Sequence, residues 1–269
     1  MSRIESEIEI IHYPILTQFD EILNFTSTRT GGVSTGNYAS LNLGRFSGDI
    51  NENIRTNFSR FCQKTGVGEN QLHLPYQTHE HKVLNIDVLF IRQNTDTQRE
   101  QLHSVDALIT NLPNHCIGVS TADCVPILMF DSVQKAVAVV HAGWRGTCAR
   151  IGLHTVQAMQ KSFGTKPEDL VIALGASISP DVYEVGDELV GLFQQENFDT
   201  DKIFFKKGEK YHLDLWMANQ MVLTDAGVKA KNIEISGLCT FTQDDKFFSA
   251  RRLGIKSGRI ISGMMIRSV

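Results

Sequence analysis

The sequence lacks an apolar run long enough to cross a membrane. Its longest apolar runs have the length of single β-strands, whereas a membrane-spanning helix needs about 20 apolar residues. The first 14 residues also lack the apolar segment of a signal peptide, because charged residues alternate with isoleucine there. Both absences predict a cytoplasmic protein that does not bind membranes.

The chain also lacks an excess of positive charge and any repeated segment. Its formal net charge is -4, so no field of the whole protein attracts nucleic acid. No low-complexity tract or Pro/Ser-rich linker interrupts it, and we expect one domain over residues 1–269. An apolar share of 42% and a charged share of 21% are typical of a soluble globular protein of enzyme size.

Cysteine is scarce, and no two cysteines form a CxxC pair. The chain has five, an odd number, at positions far apart from one another. This pattern indicates reduced thiols, most of them small buried hydrophobic residues, with room for one that serves chemistry.

Strand-like segments outnumber helices and often follow one another directly. Residues 116–141 have the pattern of strand, kink, strand, turn and strand. Helices are predicted from Asn51 to Gly66, from a cap at Thr147 to about Phe163, and from a cap at Asp214 to Gly227. This order predicts an α+β fold with mixed or antiparallel sheets, because a doubly wound fold alternates strands and helices regularly.

The turn "DSVQK" predicts a hairpin that brings Cys124 and His141 together at its open end. A two-residue turn at 132–133 pairs the two residues directly, and a three-residue turn pairs Cys124 with Ala142. Facing Cβ atoms lie about 4.5–5.5 Å apart, which suits two ligands of one metal ion or a thiol and its base. Pro126 indicates a bend, because it cannot donate a ladder hydrogen bond. A core cysteine and a hydrogen-bonded histidine at a strand end explain the same residues.

The segment "LPYQTHEHKV" contains two candidates for a third ligand, His79 and His81, which are two residues apart. On a strand both side chains would point to one face. Two histidines and one cysteine make the ligand count of a catalytic zinc site whose fourth position is open. Histidine pairs in polar segments are also common on surfaces, so the residues alone leave both candidates open.

Three arginines are candidates for binding an anion. Arg145 lies in "GWRGT", where a helix begins and two glycines allow a ligand to approach the backbone. Arg29 lies in "TSTRTGG", and Arg251 lies beside Arg252 in "FFSARR". Solvated charges or structural ion pairs are the alternative for each of them.

Taken together, these segments resemble the bacterial YfiH family. Members of that family are described as laccase-domain or multicopper polyphenol oxidase proteins, and also as purine nucleoside phosphorylases. The most specific match is the pair "TADCVP" and "HAGWRG" at this spacing. Further matches span about residues 25–260 in order: "TSTRTGGVS", "SLNLG", "VDALIT", "YEVG", "FFSARR" and "SGR".

The resemblance implies an α+β fold of layered sheets flanked by helices, with a zinc site at His79, Cys124 and His141. It thereby selects His79 over His81. The chain departs from the family in two places. It has Thr78 and Glu80 around His79 where the family usually has Val and Gly, and Ala176 where the family tends to have Pro. Neither change removes a ligand, but Glu80 beside the site bears on substrate preference.

In function, the resemblance implies an enzyme that cleaves the N-glycosidic bond of adenosine, inosine or methylthioadenosine with phosphate. Deamination of adenosine is implied as a second reaction. Its partners are thus a small nucleoside and phosphate, and Arg29, Arg145 and Arg251 are the candidates for binding the phosphate.

Three alternatives stand beside this hypothesis. One is a copper-dependent polyphenol oxidase, although the sequence shows no second histidine cluster for a multicopper centre. Another is a cysteine hydrolase acting on cell-wall precursors, with Cys124 as nucleophile and His141 as base. The last is a non-catalytic structural zinc module in which His81 fills the fourth position.

Overall fold

A computed structural model describes residues 7–268. Within this range the strands are β1 (Ile10–Ile11), β2 (Ile22–Ser27), β3 (Leu72–His73), β4 (Val83–Asn85), β5 (Ala107–Thr110), β6 (Cys116–Thr121), β7 (Val125–Asp131), β8 (Ala136–Ala142), β9 (Leu170–Leu174), β10 (Glu184–Val185), β11 (Phe204–Lys207), β12 (Lys210–Leu213), β13 (Ile233–Ile235) and β14 (Ile260–Ile266).

The helices of the same range are mostly short. The α-helices are α1 (Pro14–Thr17), α2 (Asn51–Thr65), α3 (Val88–Ile91), α4 (Thr95–Gln101), α5 (Trp144–Cys148), α6 (Ile151–Phe163), α7 (Glu188–Gln195), α8 (Thr200–Ile203), α9 (Leu215–Asp225) and α10 (Ala250–Leu253). Single 3-10 turns lie at Gly36–Tyr38, Glu69–Gln71, Pro167–Asp169 and Ala230–Asn232. None of the helices in residues 7–268 is both long and apolar enough to span a bilayer.

Two large sheets are stacked face to face. The first has the strand order β1-β2-β14-β6-β3 and the second the order β13-β9-β7-β8-β5-β4. Both contain parallel and antiparallel pairs: β3 runs parallel to β6, and β13 parallel to β9, in otherwise largely antiparallel sheets. A third, small antiparallel sheet has the order β10-β12-β11, and its Phe204 and Leu213 are buried in one cluster with residues of the second sheet. The prediction of an α+β fold with layered mixed sheets is confirmed.

The cores show the order of the layers. Ile117 of the first sheet and Phe130 of the second are buried in one cluster, so apolar side chains fill the space between the sheets. The outer face of the second sheet packs on α6 and α9, for example through Met159 and Val222. The outer face of the first sheet packs on α2 through Phe61. The result is a helix–sheet–sheet–helix sandwich.

The β7–β8 hairpin has a longer turn than either predicted form. Asp131 pairs with Ala136, so the turn contains four residues, 132–135. The Asp131 carboxylate accepts the amide hydrogens of Val133 and Gln134 at 2.9 and 3.0 Å, and Lys135 closes the turn with a φ of 51°. This carboxylate satisfies the turn amides, which a count of residues does not reveal. Both predicted registers are therefore wrong.

The helix predicted from a cap at Thr147 is two helices. Gly143 occupies the N-cap position of α5, and Arg150 interrupts the chain with a φ of 54° before α6 begins. Thr147 is buried within α5, where its hydroxyl oxygen accepts a hydrogen bond from the side-chain amide of Asn219 at 3.0 Å. The Thr147 hydroxyl is thus bonded to Asn219 of α9 and does not cap a helix. The helix capped by Asp214, by contrast, is confirmed, since its carboxylate accepts the Met217 amide hydrogen at 2.9 Å.

Candidate metal centre

The structure brings His79, Cys124 and His141 together. Their ligand atoms, two imidazole nitrogens and one sulfur, all lie within 4.8 Å of one another. His141 lies near the end of β8, Cys124 immediately before β7, and His79 in a bend before β4. Nitrogen and sulfur donors at this spacing are the kind that bind zinc or copper. The three side chains can therefore hold a metal ion.

His79 reaches this cluster because the chain curls around one carboxylate. Asp106 accepts the consecutive amide hydrogens of Thr78, His79 and Glu80 at 3.2, 3.0 and 2.9 Å. In a strand successive amides point in opposite directions, so three in a row cannot meet one acceptor. His79 accordingly has a left-handed backbone with a φ of 64°. The prediction that His79 and His81 share one face of a strand is wrong.

His81 lies outside the cluster. Its exposed ring stacks on that of His154, with 5.0 Å between centroids and an interplanar angle of 28°. Of the two histidines that the sequence left open, the structure places only His79 with Cys124 and His141.

The same carboxylate of Asp106 also orients His141. Oδ1 lies 2.7 Å from Nδ1 of His141, and Asp106 is fully buried. Burial raises the pKa of this carboxyl. The hydrogen bond and charge of His141 and the amide hydrogen bonds lower it by more, so the pKa lies below its usual value. An ionised carboxylate only accepts, so Nδ1 carries the hydrogen and Nε2 is left for a ligand or for Cys124.

Asp106 was not among the residues predicted to form the site. The signal available in the sequence is "VDALIT", where one acidic residue begins an apolar, buried strand. A buried carboxylate needs hydrogen-bonding or oppositely charged partners, but the sequence does not indicate which residues these are. The partners here come from two segments, one 26–28 residues upstream and the other 35 residues downstream.

Cys124 has the electrostatic environment of a thiolate. Burial raises the pKa of its thiol, but the charge of His141 and hydrogen bonds from His141 and His79 outweigh burial and lower it to about 6. Burial lowers the pKa of His141, while Cys124 and Asp106 raise it to about 9. A thiolate between two imidazoles is both a metal ligand and a nucleophile.

The backbone around Cys124 is held in a strained conformation. Asp123 has a φ of 90°, and its carboxylate accepts hydrogen bonds from the Thr240 hydroxyl and the Arg251 amide, both at 2.7 Å.

The ligand side chains approach the backbone closely at Gly143. A Cβ atom on Gly143 would lie 3.0 Å from Sγ of Cys124 and 3.2 Å from the His79 ring. A side chain at this position, where the helix α5 begins, would thus crowd Cys124 and His79 and displace them by a few tenths of an ångström.

A cavity of about 550 Å³ opens above the three side chains. Its lining includes the cluster itself, three arginines and three aromatic residues: Arg45, Arg251, Arg259, Phe46, Tyr76 and Tyr183. Burial raises the pKa of Tyr183, and the Cys124 charge adds to this, so its phenol remains a neutral hydrogen-bond donor at physiological pH.

Of the three arginines predicted to bind an anion, the structure places Arg251 in the cavity lining. Arg29 is instead engaged with the protein: it donates to the carbonyl oxygens of Ala39 and Asp244, both at 2.7 Å, and lies over the Phe248 ring. Arg145 is exposed and lies over the ring of Trp144 at 4.3 Å. Neither of these two is among the residues that line the cavity.

Arg259 lines the cavity but was not predicted. Its guanidinium donates to the carbonyl oxygens of Ser257, Gly258 and Ile255 at 2.8–3.0 Å, which fixes its position. Burial lowers its pKa, and the nearby charge of Cys124 opposes this. It lies 135 residues beyond Cys124 in sequence, and the pairing of β14 with β6 helps to bring the two segments together.

Known proteins resemble this chain over almost its whole length. Residues 23–267 match the family described as "Multi-copper polyphenol oxidoreductase laccase". A curated relative from Bacteroides thetaiotaomicron, named "Purine nucleoside phosphorylase", is 44% identical over 268 residues, which cover 99% of each chain. A second, from an unknown prokaryotic organism, is named "Adenosine deaminase RL5" and is 42% identical over 88% of this chain and 92% of its own.

Solved structures agree with the sequence matches. The crystal structure of Bacillus licheniformis hypothetical protein YfiH superposes with a TM-score of 0.88 at 27% identity and covers 97% of both chains. YlmD from Geobacillus stearothermophilus superposes with a TM-score of 0.86 at 27% identity, covering 95% of this chain and 94% of its own. With a family match over nine-tenths of its length, relatives above 40% identity and the same sandwich fold, the chain belongs to the YfiH family of laccase-domain proteins.

Proposed function

We propose that this protein is a purine nucleoside phosphorylase whose site holds a zinc ion on His79, Cys124 and His141. One observation carries the proposal: the His-Cys-His cluster lies in a cavity that also presents arginine and aromatic side chains. The names of relatives at 44% and 30% identity support the reaction. A nucleoside and phosphate need these two kinds of group together, a planar contact for the base and positive charge for the anion.

The three side chains fit zinc by their donor chemistry. Two nitrogens and one thiolate sulfur leave room for a fourth ligand, and Asp106 fixes the tautomer of His141, as outer carboxylates do in zinc sites. Zinc supplies Lewis-acid chemistry in such sites. We assign the metal-holding role to His79, Cys124 and His141.

The arginines of the cavity serve the phosphate in this proposal. In phosphorolysis a phosphate oxygen forms a bond to the anomeric carbon of the ribose, and the bond from that carbon to the purine nitrogen breaks. The electron pair leaves with the purine, which gains a proton. Arg251 and Arg259 would hold the anion by charge-assisted hydrogen bonds, and Tyr183 would donate a neutral one. Arg145 adds positive charge near Tyr183 from outside the lining.

The test is a nucleoside screen with metal-loaded protein. Adenosine, inosine and methylthioadenosine are each incubated with and without phosphate, and the products are identified by mass. We expect free purine and a pentose 1-phosphate only where phosphate is present. A Cys124→Ala variant should form neither product. Absence of both products from every nucleoside would overturn the proposal.

Deamination of adenosine is the second candidate activity, favoured by the 42% identical relative named adenosine deaminase. It consumes water and needs no phosphate, so the same screen separates it: inosine would appear from adenosine in phosphate-free buffer. The two activities share the metal cluster in this proposal.

The Cys124–His141–Asp106 arrangement also has the geometry of a nucleophile, its base and an orienting carboxylate. This observation favours a cysteine hydrolase over the remaining alternatives. His79, the further imidazole that bonds the thiolate, favours the metal site instead. Loss of activity on chelation, restored by zinc, would support the metal site. Activity that survives chelation together with a covalent adduct on Cys124 would support the hydrolase.

The other two alternatives find less support. A multicopper centre needs further ligand clusters, and within residues 7–268 no second group of three or more His, Cys, Asp or Glu side chains converges. A closed structural zinc site would need His81 as a fourth ligand, but its ring stacks on His154.

A further inference from the structure

Phe46 is an apolar side chain that the fold holds in solvent beside the metal cluster. Its exposed fraction is 71%, and it lines the cavity above His79, Cys124 and His141. Burying a phenylalanine stabilises a folded protein, so leaving the ring exposed forgoes that stabilisation. Of the large apolar side chains exposed in the described range, only Phe46, Tyr76 and Ile255 line this cavity.

The turn that carries Phe46 is well fixed. The amide and the hydroxyl of Ser47 both donate to the Gly44 carbonyl oxygen, at 3.1 and 2.7 Å. The Asn42 amide donates to the Ser47 hydroxyl at 2.8 Å, and the Tyr38 hydroxyl to the Ser47 carbonyl oxygen at 3.1 Å. The exposed ring is thus presented by a rigid turn, which lowers the entropy cost of binding a ligand to it.

Two further rings support Phe46 from one side. It meets Tyr76 edge to face, with 4.7 Å between centroids and an interplanar angle of 81°. Tyr76 in turn stacks on His103 at 4.7 Å and 16°. This row of three rings, which we call the aromatic wall, has Phe46 at one end and His103 at the other, and the Phe46 ring is more exposed than that of Tyr76.

The aromatic wall stands between two cavities. Phe46 and Tyr76 line both the cavity of the metal cluster and a neighbouring one of about 770 Å³. The neighbouring cavity combines leucines, among them Leu72 and Leu102, with the side-chain amides of Asn70 and Gln98. A planar, mostly apolar group with hydrogen-bonding edges matches such a surface.

We propose that Phe46 is a substrate-binding residue that stacks on the purine base, and that Tyr76 supports its ring. The inference rests on the proposed function, since it assigns a place to one part of a nucleoside. Rings stack on bases because both present flat, polarisable faces. The other parts of the substrate have different needs: phosphate requires charge and ribose requires hydrogen bonds, and a phenyl ring provides neither.

The experiment measures nucleoside binding to metal-loaded protein by calorimetry, without phosphate, using inosine as the probe, because the proposed deaminase activity would consume adenosine. Phe46→Ala should weaken the binding of inosine by roughly tenfold. Phe46→Trp should bind at least as tightly as the native protein, because it keeps the flat face, and Phe46→Leu should lie between. Steady-state rates should show the nucleoside KM raised and the phosphate KM unchanged.

Two controls complete the design. Phe205→Ala removes another exposed phenylalanine that stacks on a histidine, His212, but lies outside both cavities, and its binding should equal that of the native protein. Ribose 1-phosphate, which has no base, should bind equally to Phe46→Ala and to the native protein.

Equal nucleoside affinity in Phe46→Ala and the native protein would overturn the inference and leave the proposed function intact. Equal losses for nucleoside and ribose 1-phosphate would also overturn it, because Phe46 would then shape the cavity mouth for any ligand. If native protein neither binds nor converts any nucleoside, the proposed function fails and this inference fails with it.

Discussion

Asp106 and His141 are joined by a hydrogen bond of 2.7 Å between Oδ1 and Nδ1, in a site where both side chains are buried. The Asp106 carboxylate also accepts three successive amide hydrogens of residues 78–80. One buried anion therefore positions two of the three proposed metal ligands. It orients the His141 ring directly, and it places His79 through the backbone.

Asp106→Asn tests this role. An asparagine retains one acceptor oxygen but replaces the other with an amide that donates, so it cannot accept all four hydrogen bonds. We expect metal affinity to fall roughly ten- to a hundredfold, as it does when a carboxylate behind a metal-bound histidine is lost. Titration against a competing chelator measures the change.

Asp131→Asn is the matched control. Asp131 is another fully buried carboxylate that accepts two turn amides, but it lies at the far end of the β7–β8 hairpin. Both turn amides donate to Oδ1, so asparagine can keep these bonds but not the charge of the acceptor. The substitution should therefore lower the free energy of unfolding modestly and leave metal affinity unchanged. If both variants change metal affinity equally, Asp106 acts only through stability.

The sequence predicts the parts of this site that depend on local pattern. Alternating and continuous apolar residues locate β7 and β8, and any short turn between them brings Cys124 close to His141. For that reason the predicted proximity of the Cys124 thiol and the His141 imidazole is correct although the predicted turn length is wrong. The bend at His79 is not predictable in this way, because it depends on Asp106, which lies 27 residues away. Arg259 is further still from Cys124 in sequence, and its place in the cavity depends on the pairing of β14 with β6 and on hydrogen bonds of its backbone to Asn42 and Leu43.

Single substitutions at the two neighbouring histidines separate a ligand from a surface residue. His79→Ala should lose the bound metal and all activity that depends on it, because its ring lies within 4.8 Å of the Cys124 and His141 ligand atoms. His81→Ala should keep one metal equivalent and most of its activity, since it removes an exposed ring. Metal analysis of both proteins checks this. A variant His79→Ala that retains a full equivalent would exclude His79 as a ligand.

His73 makes stability depend on pH. Burial lowers the pKa of His73 to about 4, and the neighbouring imidazole of His115, 3.1 Å away, adds to this. The unfolded chain binds the proton with a pKa near 6.5, so the folded state favours the neutral ring. The resulting stabilisation is complete above pH 6.5 and is lost as pH falls toward 4. We expect a loss of roughly 2 kcal/mol in the free energy of unfolding between pH 7 and pH 5 from this group.

Urea unfolding of native protein and His73→Leu at a series of pH values measures that contribution. The variant should be less stable than native protein at pH 7, because it loses the bond to His115, and the difference should shrink as pH falls. His12→Gln, which removes an exposed imidazole, is the control for the loss of a histidine as such. A difference between native protein and His73→Leu that stays constant with pH would contradict the assignment.

Arg251→Ala tests the anion-binding part of the site against the metal-binding part. Its guanidinium lines the cavity, lies over the Tyr183 ring and donates to the Glu184 carbonyl oxygen at 2.8 Å. A charge-assisted hydrogen bond to phosphate contributes about 1.5–3 kcal/mol, so its loss should raise the phosphate KM roughly ten- to a hundredfold. Metal content should not change, because a guanidinium is not a ligand.

Arg252→Ala is the control within the same helix, α10. Arg252 is exposed, and its guanidinium is engaged with the Phe241 ring and carbonyl oxygen, away from the residues that line the cavity. Its phosphate KM should equal that of the native protein.

Deamination of adenosine uses no phosphate, so its rate in Arg251→Ala should fall less than the rate of phosphorolysis. If both rates fell equally, Arg251 would be shaping the cavity for either reaction, because the loss of an anion-binding residue should slow phosphorolysis more than deamination.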